Sequence, residues 1–518
     1  MSLAHDHRIE ILTPAALAVS TWTDQLESLL DNTTQLPDGR LGVHWTLANA
    51  QKLALAGFDP PSPLRHTHKW HVQPFAHQIR TAEFISVHRR CGVWSAQGTG
   101  KTLSAIAACD YLLSRGAVRR VLILCPLSVM RVAWCADMNN FAPHRRITVA
   151  HGTKDKRIAA IDAESEFVVM NFDGIKLMES HLKGKFDMIV ADEANAFKNF
   201  RSDRSKVLRR LLTKDTRLVL MTGTPASQSP EDAYGLAKLL DNPQCPAYFS
   251  TWQAAVMTQI TQFKWRAKPD APQRVAEILK PSIRFRKEDC LDLPEQMYVD
   301  RATEMGVEQK KVYEQLRKEA LIALGSGDKL TAANAGAMLN KLLQISSGAV
   351  KTSDGGVLEV ECKDRFNDLV DIVTGTTRKF IIFANYRAPI AMLHRMLREL
   401  HIETATITGD TPMNVRSTLF NAFQIEHSPL RGLVIQPAAA AHGVTLTAAD
   451  TVVWWGPPAS VELYKQANDR PHRIGQKNPV TIFHLSSSPA EAKMYKLLRQ
   501  NIAVHEKIVD LFGEIARD

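Results

Sequence analysis

The sequence predicts an α/β protein built from two similar units, each a parallel sheet with helices on both faces, with helical insertions between them. Three observations predict it. Short apolar, β-branched runs alternate with helical patterns, the habit of parallel sheets with crossover helices. The runs fall into two series separated by a charged, helical stretch. Each run ends in a polar or Gly/Pro turn.

Residues 1–66, closed by Asp59-Pro60-Pro61-Ser62-Pro63, read as a small N-terminal element whose role the residues do not reveal. The His66-x-His68-x-x-His71 cluster has no apparent fourth ligand and reads as a loop. The first unit is expected over 67–295, with strands at 92–94, 121–125, 167–170, 188–191 and 218–221 and a helical insertion at about 243–290. From 243 to 375 the pattern is helical and charged, and the crossing to the second unit is placed near Pro294. The second unit, 296–518, carries a helical insertion at about 304–375 and strands at 379–383, 404–408, 433–436, 451–455 and 480–485.

Composition narrows the class. A chain of 518 residues holds about two to four domains, each able to bury its own core. Hydrophobic residues make up 45% and charged residues 23%, which argues for a folded chain throughout. Lys and Arg number 64 against 54 Asp and Glu, and the resulting +10 is spread along the chain, compatible with a polyanionic partner without demonstrating one. Seven cysteines contain no C-x-x-C pair and read as reduced thiols, which argues against zinc. Without an apolar run of about 18 residues or a signal-peptide core, the expectation is a cytoplasmic protein with no membrane partner.

The chemistry is concentrated in five segments. Ser95-Ala96-Gln97-Gly98-Thr99-Gly100-Lys101-Thr102 stands between a predicted strand and an Ala/Leu-rich helix, the setting that makes a phosphate-loop match credible. Its glycines let backbone N–H groups approach phosphate oxygens, Lys101 holds the β and γ phosphates, and the Thr102 hydroxyl binds magnesium. Asp192-Glu193-Ala194-Asn195 follows an apolar strand at 188–191 and is delivered to the strand's carboxyl end, where α/β sheets collect ligands. There Asp192 reaches magnesium and Glu193 orients and deprotonates the attacking water. Thr222-Gly223-Thr224-Pro225, after the strand at 218–221, offers small hydroxyl residues suited to sensing the γ-phosphate. Gln78 precedes the loop by about twenty residues, and its amide can pair with both donor and acceptor edges of adenine. Finally, 466–477 places Arg470 and Arg473 behind Gln466; two cations so far along the chain suggest a nucleotide site closed by a second lobe, with arginines that stabilise transition-state charge.

In this order, together with Cys125-Pro126-Leu127-Ser128, Lys198-Asn199, Leu446-Thr447-Ala448-Ala449-Asp450 and His472-Arg473-Ile474-Gly475-Gln476, the segments resemble the Swi/Snf-type ATPases of helicase superfamily two over about residues 70 to 510. The chain's length and Trp454-Trp455-Gly456-Pro457-Pro458 are most similar to compact phage and bacterial members. The resemblance implies two RecA-like lobes that step along double-stranded DNA by gripping its phosphate backbone, typically without separating strands. It implies ATP and Mg2+ as cofactors, with Gln97, Gly98, Thr99, Gly100 and Gln466 joining Gln78, Lys101 and Thr102 around the nucleotide. It also places Ser128, Asn171, Gly223, Asn385, Gly409 and Gly443 at positions that face DNA. Phosphate contacts carry affinity without sequence information, which suits diffuse positive charge. Two departures stand out: the family's usual histidine after Asp-Glu-Ala is Asn195, which cannot titrate, and the glycine-rich start of motif five is Ala438-Ala439-Ala440-Ala441-His442-Gly443.

The expected function is therefore a DNA-stimulated ATPase that translocates on duplex DNA, remodelling protein–DNA complexes or branched DNA. The alternatives are a strand-separating helicase on DNA or RNA, a motor subunit of a restriction or defence complex with another protein subunit, and a nucleic-acid-binding scaffold with a silent ATP site.

Overall fold

Alternation of apolar side chains along each central strand sets up core on both faces of the first sheet. Leu122, Leu124, Val168, Met170, Ile189, Ala191, Leu218 and Leu220 belong to one buried cluster. Their neighbours Val121, Ile123, Phe167, Val169, Met188, Val190, Val219 and Met221 belong to the other. A strand buried on both faces reads as a continuous apolar run because its side chains alternate between two cores. The structure, a computed structural model, describes residues 9–20, 23–63, 73–226, 229–261, 264–290, 293–325, 332–351, 356–440 and 444–500. The histidine cluster at 66–71 and Gly443 lie outside them. The chain divides into two compact units, Met1–Cys290 and Leu291–Asp518.

The first unit's main sheet has seven strands in the order Ser282–Ile283, Arg90–Val93, Arg217–Met221, Met188–Asp192, Val121–Cys125, Phe167–Asn171, Ile147–Val149. Every pairing in it is parallel. Register aligns the strand ends: Met221 lies opposite Val93 on one side and Asp192 on the other, so three strands end level. The second unit has a six-stranded parallel sheet in the order Gln296–Ala302, Val480–Ser486, Ala449–Trp454, Lys379–Phe383, Gly432–Ile435, Thr404–Ile407. Ile381, Phe383, Val452 and Trp454 enter one of its cores, and Phe380, Ile382, Val453 and Trp455 the other.

Strands appear where the apolar runs predict, and Val121–Cys125 and Lys379–Phe383 coincide with them end to end. The first is displaced: it runs Arg90–Val93 rather than 92–94, because Arg90 and Cys91 already pair with Leu218 and Val219. The charged middle stretch is not helical throughout. Gln296–Ala302 is a seven-residue strand that pairs along its full length with Val480–Ser486. As an edge strand it exposes most of its side chains, so Tyr298, Asp300 and Arg301 conceal it from a hydrophobic reading. The 243–290 stretch holds helices Phe249–Val256 and Ala271–Ile278 together with an antiparallel hairpin, Met257–Thr261 with Lys264–Ala267. A second small hairpin pairs Ala349–Lys351 with Val357–Glu359.

The N-terminal element is a four-stranded antiparallel sheet in the order Ile9–Thr13, Ala16–Val19, Leu41–His44, Thr33–Gln35. Leu17, Val19, Leu26, Leu41, Val43 and Leu53 give it a core of its own. Gln51 Nε2 donates to Ser86 O (3.0 Å) and Ser62 Oγ meets Ser86 Oγ (2.7 Å), tying it to the end of helix Ala76–Val87. Among the described residues no helix is long and apolar enough to cross a membrane. All seven cysteines are free, four of them buried.

Candidate nucleotide site

The phosphate-loop segment leaves strand Arg90–Val93 and enters helix Lys101–Ser114. Gly98 (φ +80°) and Gly100 (φ +78°) both lie in the left-handed region that glycine adopts without strain. At Gly100 there is a second reason: an added Cβ would stand 2.0 Å from Gln78 Nε2. Lys101, the first helical residue, turns its ammonium back over the loop and donates to Ser95 O (2.9 Å) and Ala96 O (3.0 Å). Thr99 Oγ1 donates to Ala96 O (2.8 Å), closing the turn from within. Thr102 and Gln97 are half-buried at its rim. Strand Ser282–Ile283 continues past the loop, where Ala96 N donates to Phe285 O (2.9 Å) and Phe285 N to Ser95 Oγ (3.1 Å).

Gln78 is 4% exposed and its amide is engaged by main chain: Oε1 accepts from Phe75 N (2.9 Å) and Nε2 donates to Thr99 O (3.2 Å). It braces the loop against the start of helix Ala76–Val87. Pairing with adenine would draw on the one N–H and the lone pair left over, or require release of these bonds. His77 Nε2 also meets Thr99 O (2.8 Å), and its ring lies between Phe75 and Phe285 (centroids 5.8 and 5.7 Å). Nothing in the sequence distinguished His77 from a surface residue at a helix start.

Asp192 ends strand Met188–Asp192, two strands from the loop. Its Oδ1 accepts from Glu193 N (3.1 Å) and its Oδ2 from Trp134 Nε1 (3.0 Å). Burial, then the neighbouring Glu193 charge, push its carboxyl up to about 6, while Lys101 and the Trp134 N–H pull the other way. Glu193 sits at φ +55°, a left-handed conformation that costs a non-glycine residue about 1–2 kcal/mol and is a mark of functional turns. Just past the end of the strand between, Arg217–Met221, Thr222 Oγ1 donates to Asn195 Oδ1 (3.0 Å) and accepts from Thr224 N (3.2 Å), which joins the third segment to the second. Gly223 packs against the loop, where a Cβ would stand 3.4 Å from Gln97 Cγ and 3.6 Å from Ser95 O. A position anticipated to face DNA thus abuts the phosphate loop.

Thr102 and Asp192 offer hydroxyl and carboxylate oxygens, the hard donors magnesium takes, and an ionised Asp192 keeps a lone pair on each oxygen beyond those already used. Among the described residues no group of three or more His, Cys, Asp or Glu could hold a metal ion. Magnesium is usually held by one or two side chains together with substrate phosphates.

In the second unit the arginine segment is anchored by main chain. Arg470, 6% exposed, donates from Nε to Gln466 O (3.0 Å), and Arg473 Nη1 donates to Val444 O (3.2 Å). Leu446 N donates to Arg470 O (3.0 Å). Gln476 braces the two motifs: its Nε2 reaches Thr447 O (3.2 Å), Ala449 O (2.8 Å) and Pro471 O (3.1 Å). The Gln466 side chain, 5% exposed, donates to Glu462 Oε1 (3.2 Å). Of the other positions anticipated to face DNA, Ser128 lies in the short turn Leu127–Val129, and Asn171 ends a strand with Oδ1 accepting from Arg157 Nη1 (3.1 Å). Asn385 Nδ2 donates to Gly456 O (3.1 Å) and Pro457 O (2.9 Å). Gln436, which sequence reasoning passed over, links Asn385 to Gly409 by donating to Asn385 O (3.4 Å) and accepting from Gly409 N (3.0 Å).

A strand–glycine loop–helix holding Lys101, an acidic pair on a neighbouring strand end and a second parallel sheet carrying an arginine motif define a helicase-like chain with two RecA-like lobes. Residues 62–349 match the SNF2-related domain and residues 364–475 the helicase conserved C-terminal domain. The first match spans more than half of the chain, which therefore belongs to the SNF2-related family. The chain is 27% identical over 404 residues to an uncharacterized ATP-dependent helicase of Mycoplasma genitalium, a match covering 75% of this chain and 37% of the relative. It is 24% identical over 517 residues to the SWI/SNF-related matrix-associated actin-dependent regulator of chromatin subfamily A-like protein 1 of Drosophila melanogaster, covering 95% of this chain and 64% of that protein. The chain thus matches from 37% to 64% of the length of these two curated relatives. A solved Sulfolobus solfataricus SWI2/SNF2 ATPase core in complex with dsDNA aligns over 88% of this chain and 96% of its own at 21% identity, with a TM-score of 0.42.

Proposed function

We propose that this protein is an ATP-dependent translocase on double-stranded DNA, a DNA-stimulated ATPase that remodels protein–DNA complexes or branched DNA. The observation that carries the ATPase is the level ending of three parallel strands, after which the glycine loop with Lys101, the Thr222 turn and the Asp192-Glu193 pair follow at the carboxyl end of one sheet. Loop N–H groups and Lys101 bind the phosphates, with the lysine exchanging its bonds to Ser95 O and Ala96 O for phosphate oxygens. Glu193 orients the attacking water and takes its proton. When bound by Thr102 and Asp192, magnesium supplies charge neutralisation at the phosphate oxygens. Arg470 and Arg473 stabilise the charge that develops in the transition state, an effect of roughly a thousandfold or more. The Thr222–Asn195 bond gives the γ-phosphate a route to the Thr222 turn.

The duplex-DNA partner is supported by membership of the SNF2-related family together with the helicase C-terminal match. Net charge of +10 is compatible with backbone gripping. Steady-state ATPase measured with no nucleic acid, duplex DNA, single-stranded DNA and RNA at two salt concentrations tests the proposal, with Glu193→Gln as control. Greatest stimulation by duplex, weakened by salt and absent in the control, is the expected result. Preference for single strands or RNA would replace the reading with a strand-separating helicase. A purified wild type that turns over ATP under none of these conditions would overturn the ATPase assignment.

A further inference from the structure

We propose that Trp134 is a positioning residue for the metal-binding carboxylate of Asp192, holding it from the turn that follows Ser128. This rests on the nucleotide reading above and deepens it. Trp134 is 1% exposed, among the largest fully buried side chains, and its indole N–H points at Asp192 Oδ2 (3.0 Å). Asp192 Oδ1 is meanwhile held by Glu193 N (3.1 Å). One donor on each oxygen sets the plane of the carboxylate and leaves the remaining lone pairs to face outward. Donors behind a metal ligand act this way generally, and removing one typically weakens metal binding by about 10–100-fold.

The backbone around Trp134 supports a role beyond filling space. Residues Met130–Cys135 form a π-helical turn, directly after the short turn Leu127–Val129 and before helix Ala136–Phe141. Such turns are rare and occur frequently at functional sites. The indole is packed in the same core as Val129, Met130 and Met138. A shift of the 127–135 segment therefore carries the indole with it, and the carboxylate's outer donor moves too. A buried indole also needs some acceptor, so the alternative is that Asp192 merely satisfies Trp134.

The full-length protein distinguishes these through Mn2+ binding to its ADP complex, followed by electron paramagnetic resonance. Trp134→Phe keeps most of the ring and removes the N–H. It should leave metal-free ADP affinity within about twofold while weakening Mn2+ by about tenfold or more. In an Asp192→Asn background the same substitution should add nothing further. Unchanged Mn2+ affinity, or an equal loss in the Asp192→Asn background, would overturn the proposal while the wild type still binds Mn2+ and ADP. A wild type that binds neither overturns the nucleotide reading, and this proposal with it. Should Trp134→Phe fail to fold, wild-type protein carrying 15N-indole tryptophan takes its place. Mn2+ with ADP must then broaden a solvent-protected indole N–H resonance, and no broadening refutes the proposal.

Discussion

Replacing Gly100 with alanine tests the loop's construction at a point where two costs can be separated. The first is conformational: at φ +78° a Cβ-bearing residue pays about 1–2 kcal/mol. The second is steric, because the new Cβ would lie 2.0 Å from Gln78 Nε2. Gln78 can swing away, but only by giving up its bonds to Phe75 N and Thr99 O, each worth about 1 kcal/mol. The sum is about 3–4 kcal/mol. Gly116, at φ +68° with nothing within 4 Å of its Cβ position, pays the first cost alone, so Gly116→Ala should lose about 1–2 kcal/mol. Native-state hydrogen exchange of helix Lys101–Ser114 against denaturant measures both. The double-mutant cycle is sharper: Gln78→Ala should cost about 2 kcal/mol alone and nothing more on top of Gly100→Ala. Additive losses, or equal losses in Gly100→Ala and Gly116→Ala, would refute the wedge and with it the bracing role assigned to Gln78.

Other predictions concern the second unit and the chemistry. His484 is 1% exposed between Tyr464, Tyr495 and Asp300, with Arg499 alongside, and burial lowers its pKa from 6.5 to about 4. The unfolded chain binds this proton more readily, so the stability it contributes is full above about pH 6.5 and is lost as pH falls toward 4, about 3 kcal/mol in all. Denaturant midpoints of wild type should slope over that window, and those of His484→Gln should slope less. Arg365, 1% exposed, bonds Glu491 (2.9 Å), Ser346 O (2.7 Å) and Leu485 O (2.8 Å) and lies over the Trp455 ring. Arg365→Met strands the buried Glu491 charge and should cost about 3–5 kcal/mol, part of which Arg365→Met/Glu491→Gln recovers. Urea unfolding of both variants checks this, and a loss below about 1 kcal/mol would contradict the buried pair. Arg473→Ala should lower turnover about a thousandfold with nucleotide binding largely retained, as read by single-turnover kinetics and equilibrium binding. Near-normal turnover would remove Arg473 from the chemistry.

Much of the architecture was legible because strands buried on both faces leave a continuous apolar trace, as at Val121–Cys125 and Lys379–Phe383. The strand–loop–helix setting of the glycine segment was legible because its glycines, Lys101 and Thr102 are contiguous in the chain. Edge strands and small antiparallel sheets were not. Gln296–Ala302 buries too little for its pattern to stand out, and the N-terminal sheet is made of strands three to five residues long. Side-chain direction was also hidden, because it depends on neighbours distant in sequence. Gln78 was anticipated as an adenine contact, yet its amide is bonded to Phe75 and Thr99 main chain, and Gly223 abuts Gln97.

By itself, the order of residues determined that two parallel sheets form and which short segments carry the glycine-rich and acidic groups, since local spacing and hydrophobic period are properties of the chain alone. Tertiary structure decided which groups meet. Parallel register brings Val93, Met221 and Asp192 level although more than 90 residues separate Val93 from Asp192. Packing, which no local pattern records, brings Trp134 to Asp192 and Thr222 to Asn195. A hydrogen bond between residues dozens of positions apart has no period in the sequence; it exists only once the sheet's register and the cores on its faces have set both ends.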